Sequence, residues 1–133
     1  MPDASPIPDN VRSFLGERNW ATIATLNEDG SAHQAVIWYL LDGDVVVVNS
    51  RRERHWPRNL ERDPRVSLAI QDQKQPEHWV GLRGHARVAR TGDAAMADIE
   101  ALARRYGGDP NRFGGQDRVT FEIAVERIFE YGS

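Results

Sequence analysis

The sequence predicts a mainly β protein with α-helices: an antiparallel sheet of six strands that curls into a barrel, flanked by short helices. Three observations carry this reading. Six segments have strand chemistry against three with helical periodicity. The strand segments mostly follow one another directly, which favours antiparallel pairing over the strand–helix alternation of a doubly wound sheet. Tight Asn, Asp and Gly turns join several of them. The chain of 133 residues is long enough for one sizeable core but not two.

Residues 1–7 are expected to form a disordered lead, and residues 8–133 a single domain. A first helix spans about Pro8 to Arg18, with Val11, Phe14 and Leu15 on one face. Trp20 to Leu26 is rich in aromatic and β-branched residues. Asn27-Glu-Asp-Gly30 is turn chemistry, and His33 to Leu41 completes a hairpin. Asp42-Gly-Asp44 leads into the all-valine strand 45–48. Pro57 suits the first turn of a second helix, which Asp63-Pro64 must end. Val66 to Gln71 is a fourth strand. From His78 to Arg90 the chain alternates, with Val80, Leu82, Ala86 and Val88 on one face and Trp79, Arg83, His85 and Arg87 on the other.

Between Asp93 and Tyr106, the residues Ala95, Ile99, Leu102 and Tyr106 recur at helical spacing. Asp98 and Glu100 lie near the start and Arg104-Arg105 at the end, as the helix dipole favours, and Gly107-Gly108 closes the helix. Val119, Phe121, Ile123 and Val125 alternate in a final strand.

The chain has no cysteine, which excludes disulfides, thiolate zinc sites, iron–sulfur clusters and a catalytic thiol. No window approaches the roughly 20 apolar residues of a membrane span, and no basic patch followed by an apolar core opens the chain. A soluble, cytoplasmic protein with no membrane partner is expected. The net charge is −3, yet residues 51–65 hold six arginines and three acids, a local +3, leaving −6 for the rest. Such a concentration reads as an anion-binding turn. The negative total argues against nucleic acid.

A phosphate at residues 50–59 would meet backbone N–H groups, the first turn of the Pro57 helix, and the guanidinium forks of Arg51, Arg52, Arg54 or Arg58. The blander reading is a solvated arginine cluster paired with Glu53, Glu61 and Asp63; from charge alone the two weigh equally. Trp38, Tyr39 and Trp56 lie near the same turn in sequence and could flank a planar ring, although strand aromatics are more often core. Histidines 33, 55, 78 and 85 lack metal-ligand spacing, so no metal site is expected. No Gly-x-Ser-x-Gly elbow, phosphate-binding glycine loop or singled-out carboxylate pair is present. Any reaction is expected to be a cofactor's chemistry.

The order helix, hairpin, Val45-Val-Val-Val-Asn-Ser50, arginine turn and Arg58-Asn-Leu-Glu-Arg-Asp-Pro-Arg-Val-Ser-Leu68 resembles the split β-barrel flavin and deazaflavin oxidoreductases, the pyridoxamine-phosphate-oxidase-like superfamily. Within it, the chain is similar to the coenzyme F420-dependent reductase branch; Ala21 to Gly30 and Gly81 to Val88 also fit, and the match covers about residues 8–131. The resemblance implies a homodimer of six-stranded antiparallel split β-barrels with short flanking helices and two cofactor sites at the subunit interface. The cofactor would be coenzyme F420, or alternatively FMN. Its ring would lie along Ala35, Val36, Ile37, Trp38, Tyr39 and Leu40. Its phosphate would meet Ser50, Arg51, Arg52 and Arg54, with Arg58 and Asn59 beyond, and Trp79 would border the cofactor.

One departure stands out: many relatives carry a lysine where this chain has Trp56. That change implies altered affinity, a different cofactor or an aromatic lid. The implied activity is hydride transfer between the deazaflavin ring and a small electron-poor organic substrate. The alternatives are an FMN oxidase or reductase of the same fold, or a non-catalytic module holding flavin, haem or a tetrapyrrole. Tyr39, His55, His78 and Tyr106 are proton-donor candidates by chemistry only; no catalytic residue is singled out.

Overall fold

The computed structural model describes residues 6–132. In chain order the elements are α1 (Asp9–Gly16), β1 (Ala21–Leu26), β2 (Ala32–Ile37), β3 (Leu40–Asp42), β4 (Val45–Arg51), α2 (His55–Arg62), β5 (Arg65–Gln71), β6 (Trp79–Thr91), α3 (Gly92–Arg105) and β7 (Arg118–Tyr131). The strands form one sheet in the order β2-β1-β5-β6-β7-β4-β3, antiparallel at every pairing.

The strand count is seven, not six, because the expected strand His33–Leu41 breaks at Trp38-Tyr39. Tyr39 is fully buried, and its phenol donates to Leu15 O at 3.0 Å. Its backbone leaves the ladder altogether. The N–H donates to the Tyr106 hydroxyl at 3.3 Å, and the carbonyl accepts from Arg105 Nε at 3.1 Å. With those backbone groups bonded to α3 and its end, residue 39 cannot continue a strand.

The halves it separates, β2 and β3, are the two opposite edges of the sheet. Three residue steps reach roughly 10 Å, so the sheet must curl until its edges nearly meet. It remains open there, with no ladder joining β2 to β3.

The interior of the curl is filled from β1, β4, β5, β6 and β7 by Ile23, Val46, Val48, Ile70, Leu82, Phe121 and Ile123, with Leu15 of α1 packed among them. A second cluster, Ile99, Leu102, Ala103 and Phe113, lies beneath α3 with Trp38, Leu40 and Tyr106 packed against it. Arg105 does more than complement the α3 dipole. Its Nη2 donates to Glu17 O at 2.8 Å and to Leu15 O at 3.4 Å, satisfying carbonyls at the end of α1.

The core begins within the expected lead: Ile7 is buried and its N–H donates to Asp44 Oδ1 at 3.3 Å. Residues 1–5 lie outside the described residues. β7 continues six residues past Val125, through a register shift opposite Arg83 and Gly84. A second shift lies between Val88 and Arg90, and Val88, paired with Phe121, is 40% exposed.

Candidate functional site

A cleft of about 190 Å³ opens between the end of β2, the end of β4 and the layer formed by α3 and the loop after it. Val36 and Ile37 line it from β2 and Trp38 from just beyond, Asn49 and Ser50 from β4, Arg54 and Trp56 from the start of α2. Trp20, Ile99, Arg112, Phe113 and Arg118 complete it. The turn after β4 is fixed by main-chain bonds: Arg52 N–H to Asp117 O at 2.8 Å and Arg54 N–H to Arg51 O at 3.2 Å. Trp38 is held by a stack on Tyr106, with centroids 5.2 Å apart and planes 7° apart. Gly108 sits so close that an added Cβ would lie 3.3 Å from the indole.

The electrostatics are lopsided. Arg51 pairs with Glu53 at 2.8 Å and Arg52 with Glu61 at 2.6 Å, so those two charges are matched locally. Arg54, Arg112 and Arg118, the three arginines that line the cleft, have no carboxylate within ion-pair distance among the described residues. Arg112 lies over Trp38 and Phe113, its guanidinium carbon 5.8 and 5.0 Å from the ring centres. Arg118 is only 7% exposed. Burial, reinforced by the positive charges of Arg54 and Arg51, pushes its guanidinium down to about 10. The Ser50 hydroxyl is buried and has no hydrogen-bond partner among the described residues. A buried cation without a counter-ion beside an unsatisfied hydroxyl is chemistry that fits an anionic group.

Residues 7–132 match the family model for pyridoxamine 5'-phosphate oxidase. The chain belongs to this family. A curated relative, the F420H(2)-dependent biliverdin reductase of Mycobacterium tuberculosis (strain CDC 1551 / Oshkosh), is 28% identical over 123 residues, covering 92% of this chain and 86% of the relative. Among solved structures, one named F420 Reductase superposes with a TM-score of 0.80 at 24% identity, covering 92% of this chain and 98% of that one. HutZ, a heme storage protein from Vibrio cholerae, superposes at 0.70 with 17% identity, covering 96% of each chain. These likenesses extend the family's fold to this chain.

Of the residues that the family resemblance marks for a cofactor, the fold gathers Val36, Ile37, Trp38, Ser50, Arg54 and Trp56 at the cleft. Ala35 faces the core and Leu40 packs beneath α3. Tyr39 is wholly interior, and burial raises its phenol well above the ordinary range. Arg58 lines a separate polar hollow with Asn27, Glu28 and Asp29. Asn59 is 3% exposed and fastens α2 to β1 through Thr25 Oγ1 at 3.1 Å and Asn27 Oδ1 at 2.9 Å. Trp79 stacks on Tyr131 at 4.2 Å on the outer sheet face.

Trp56 is 4% exposed, packed against Phe121; it is a wall of the cleft, not a lid. None of the four proton-donor candidates, Tyr39, His55, His78 and Tyr106, lines the cleft. His55 instead stacks on His33 at 4.0 Å and contacts Asn27 Oδ1 at 2.7 Å. Sequence reasoning missed Asn49, Arg112 and Arg118. The available signal was a polar Asn continuing the run Val45–Val48 and an Arg opening the alternating run at Val119.

Proposed function

We propose that the chain is an F420-dependent oxidoreductase that transfers a hydride between the deazaflavin ring and a small electron-poor organic substrate. The observation that carries the reading is the cleft itself, where an aromatic wall at Trp38 and Trp20 ends on Ser50 and three arginines without carboxylate partners. A ring with an anionic side chain has that outline. The coenzyme would supply the hydride chemistry when bound. The chain's own residues would bind and orient: Arg54 and Arg118 toward a phosphate, Trp38 toward the ring. As an edge strand, β2 also has backbone groups on its free side available to the ring's polar rim. The 28% identical relative that reduces biliverdin with F420H(2) supports the same cofactor and an electron-poor conjugated substrate.

We further propose a homodimer, a reading that the outer sheet face supports. Trp20, Val36 and Tyr131 are 46%, 69% and 46% exposed there, around a shallow surface of Thr22, Ala24, Ser67, Ala69 and Gly81. The hollow beside Trp79 shares Trp20 and Val36 with the cleft, so a second copy seated on it would wall the cleft's open side. A second reading is a non-catalytic holder of haem, favoured by fold neighbours named for heme. Against it, none of the four histidines lines the cleft.

Fluorescence titration of the purified chain with F420, FMN and haemin at matched salt tests the proposal, with sedimentation alongside. Tight F420 binding by a species of twice the chain mass is expected. FMN binding alone moves the chain to flavin chemistry, and haemin binding alone makes it a carrier.

A further inference from the structure

We propose that Arg118, reaching into the cleft from the start of β7, is the principal phosphate-binding side chain of this protein, and that Asn49 is the positioning residue that keeps its charge available. The inference deepens, and rests on, the reading of the cleft as a phosphate-anchored cofactor site.

Arg118 is held entirely by neutral acceptors. Its Nε donates to Asn49 Oδ1 at 3.0 Å and its Nη1 to Gln116 Oε1 at 2.7 Å, while Phe113 lies against the guanidinium at 5.2 Å. Nη2 makes no hydrogen bond among the described residues. The group is thus held and desolvated without being neutralised, which makes an anionic phosphate group entering the cleft its natural counter-ion.

The network behind Asn49 explains why the amide cannot turn round. Its Nδ2 donates to Ala95 O at 2.9 Å and to Thr120 Oγ1 at 2.8 Å. The Thr120 proton is already committed to Asp98 Oδ2 at 2.7 Å, so Thr120 can only accept from Asn49. Flipping the amide would set its oxygen against the Ala95 carbonyl and its NH₂ against Arg118 Nε–H. Asp98 is itself held by Arg90 Nε at 2.6 Å. A carboxylate at position 49 would be nearly isosteric but would neutralise Arg118. The buried, unpartnered Ser50 hydroxyl, next in the chain and also lining the cleft, is a second donor for the same ligand.

The test uses the full chain, with inorganic phosphate followed by calorimetry and F420 by fluorescence. Arg118→Gln and Asn49→Asp should each weaken both ligands at least tenfold; the second also loses the Nδ2 donations to Ala95 O and Thr120 Oγ1 and should melt below the parent. Arg65→Ala, a surface arginine bound to Asp63, should leave both affinities unchanged. Phosphate and F420 binding within twofold of the parent in Arg118→Gln would overturn the proposal, even if Asn49→Asp failed to fold. Arg118-dependent phosphate binding without any F420 binding would uphold it while removing the cofactor reading above.

Discussion

Asn59 separates a structural role from a binding role, because the family resemblance marks it for the cofactor site, just beyond the phosphate turn, whereas the fold uses it as a fastener. Its Nδ2 donates to Thr25 Oγ1 at 3.1 Å and Asn27 Oδ1 at 2.9 Å, and its Oδ1 accepts from Arg62 Nη2 at 3.0 Å. Thr25 is 1% exposed, so no water readily replaces the lost donor. Asn59→Ala removes three hydrogen bonds worth about 0.5–1.5 kcal/mol each, giving a loss of roughly 2–4 kcal/mol. At about 2.1 cal/mol/K per residue, a chain of 133 residues has an unfolding entropy near 0.28 kcal/mol/K. The melting temperature should therefore fall by about 7–14 °C, read by circular dichroism, while phosphate affinity stays within twofold. A shift below about 3 °C, or a tenfold loss of phosphate binding in the folded variant, would refute the fastener reasoning.

Gly84→Ala places a Cβ 1.9 Å from the Ala124 carbonyl oxygen, so β6 and β7 must separate by more than an ångström across their register shift. A loss of at least about 3 kcal/mol in urea unfolding is expected, and less than 1 kcal/mol would contradict the packing described. The Asp63 carboxyl, held down to about 2 from its usual 3.8 chiefly by the Arg65 side chain, has a folded value below its unfolded one. Its contribution is therefore present above pH ~4 and lost as pH falls toward 2. In Arg65→Ala, the carboxyl midpoint seen by NMR should move up toward the ordinary value; an unmoved midpoint would break the assignment.

Much of the fold was legible because alternation is a local signal. β1, β4, β5 and β6 lie within a residue or a few of their expected bounds, and Pro57 and Asp63-Pro64 marked α2. What failed required long-range partners. Nothing near Tyr39 says that its backbone bonds to Tyr106 and Arg105, 67 and 66 residues away, so local chemistry runs the strand through it. The continuation of β7 was hidden by Glu126, an extra residue at the register shift whose carboxylate binds His85 at 2.7 Å and breaks the apolar alternation. The site was half legible for the same reason. An arginine-rich turn is visible as a run, but which arginines are free depends on where Glu53 and Glu61 fall in space. Arg118 and Asn49, 69 residues apart, meet only across the β4–β7 ladder.

The position of β7 governs when the cleft can first exist. Before β7 is in place, the sheet order leaves two unlinked pieces, the four strands β2-β1-β5-β6 and the hairpin β4-β3, because β7 alone bridges β6 to β4. Trp38 hangs from one piece and Ser50 from the other. During synthesis the strands cannot be joined into one sheet until residues 118–131 have left the ribosome. A C-terminal nick within that stretch would uncouple the walls of the cleft even though it removes no more than Arg118 among the residues that line it.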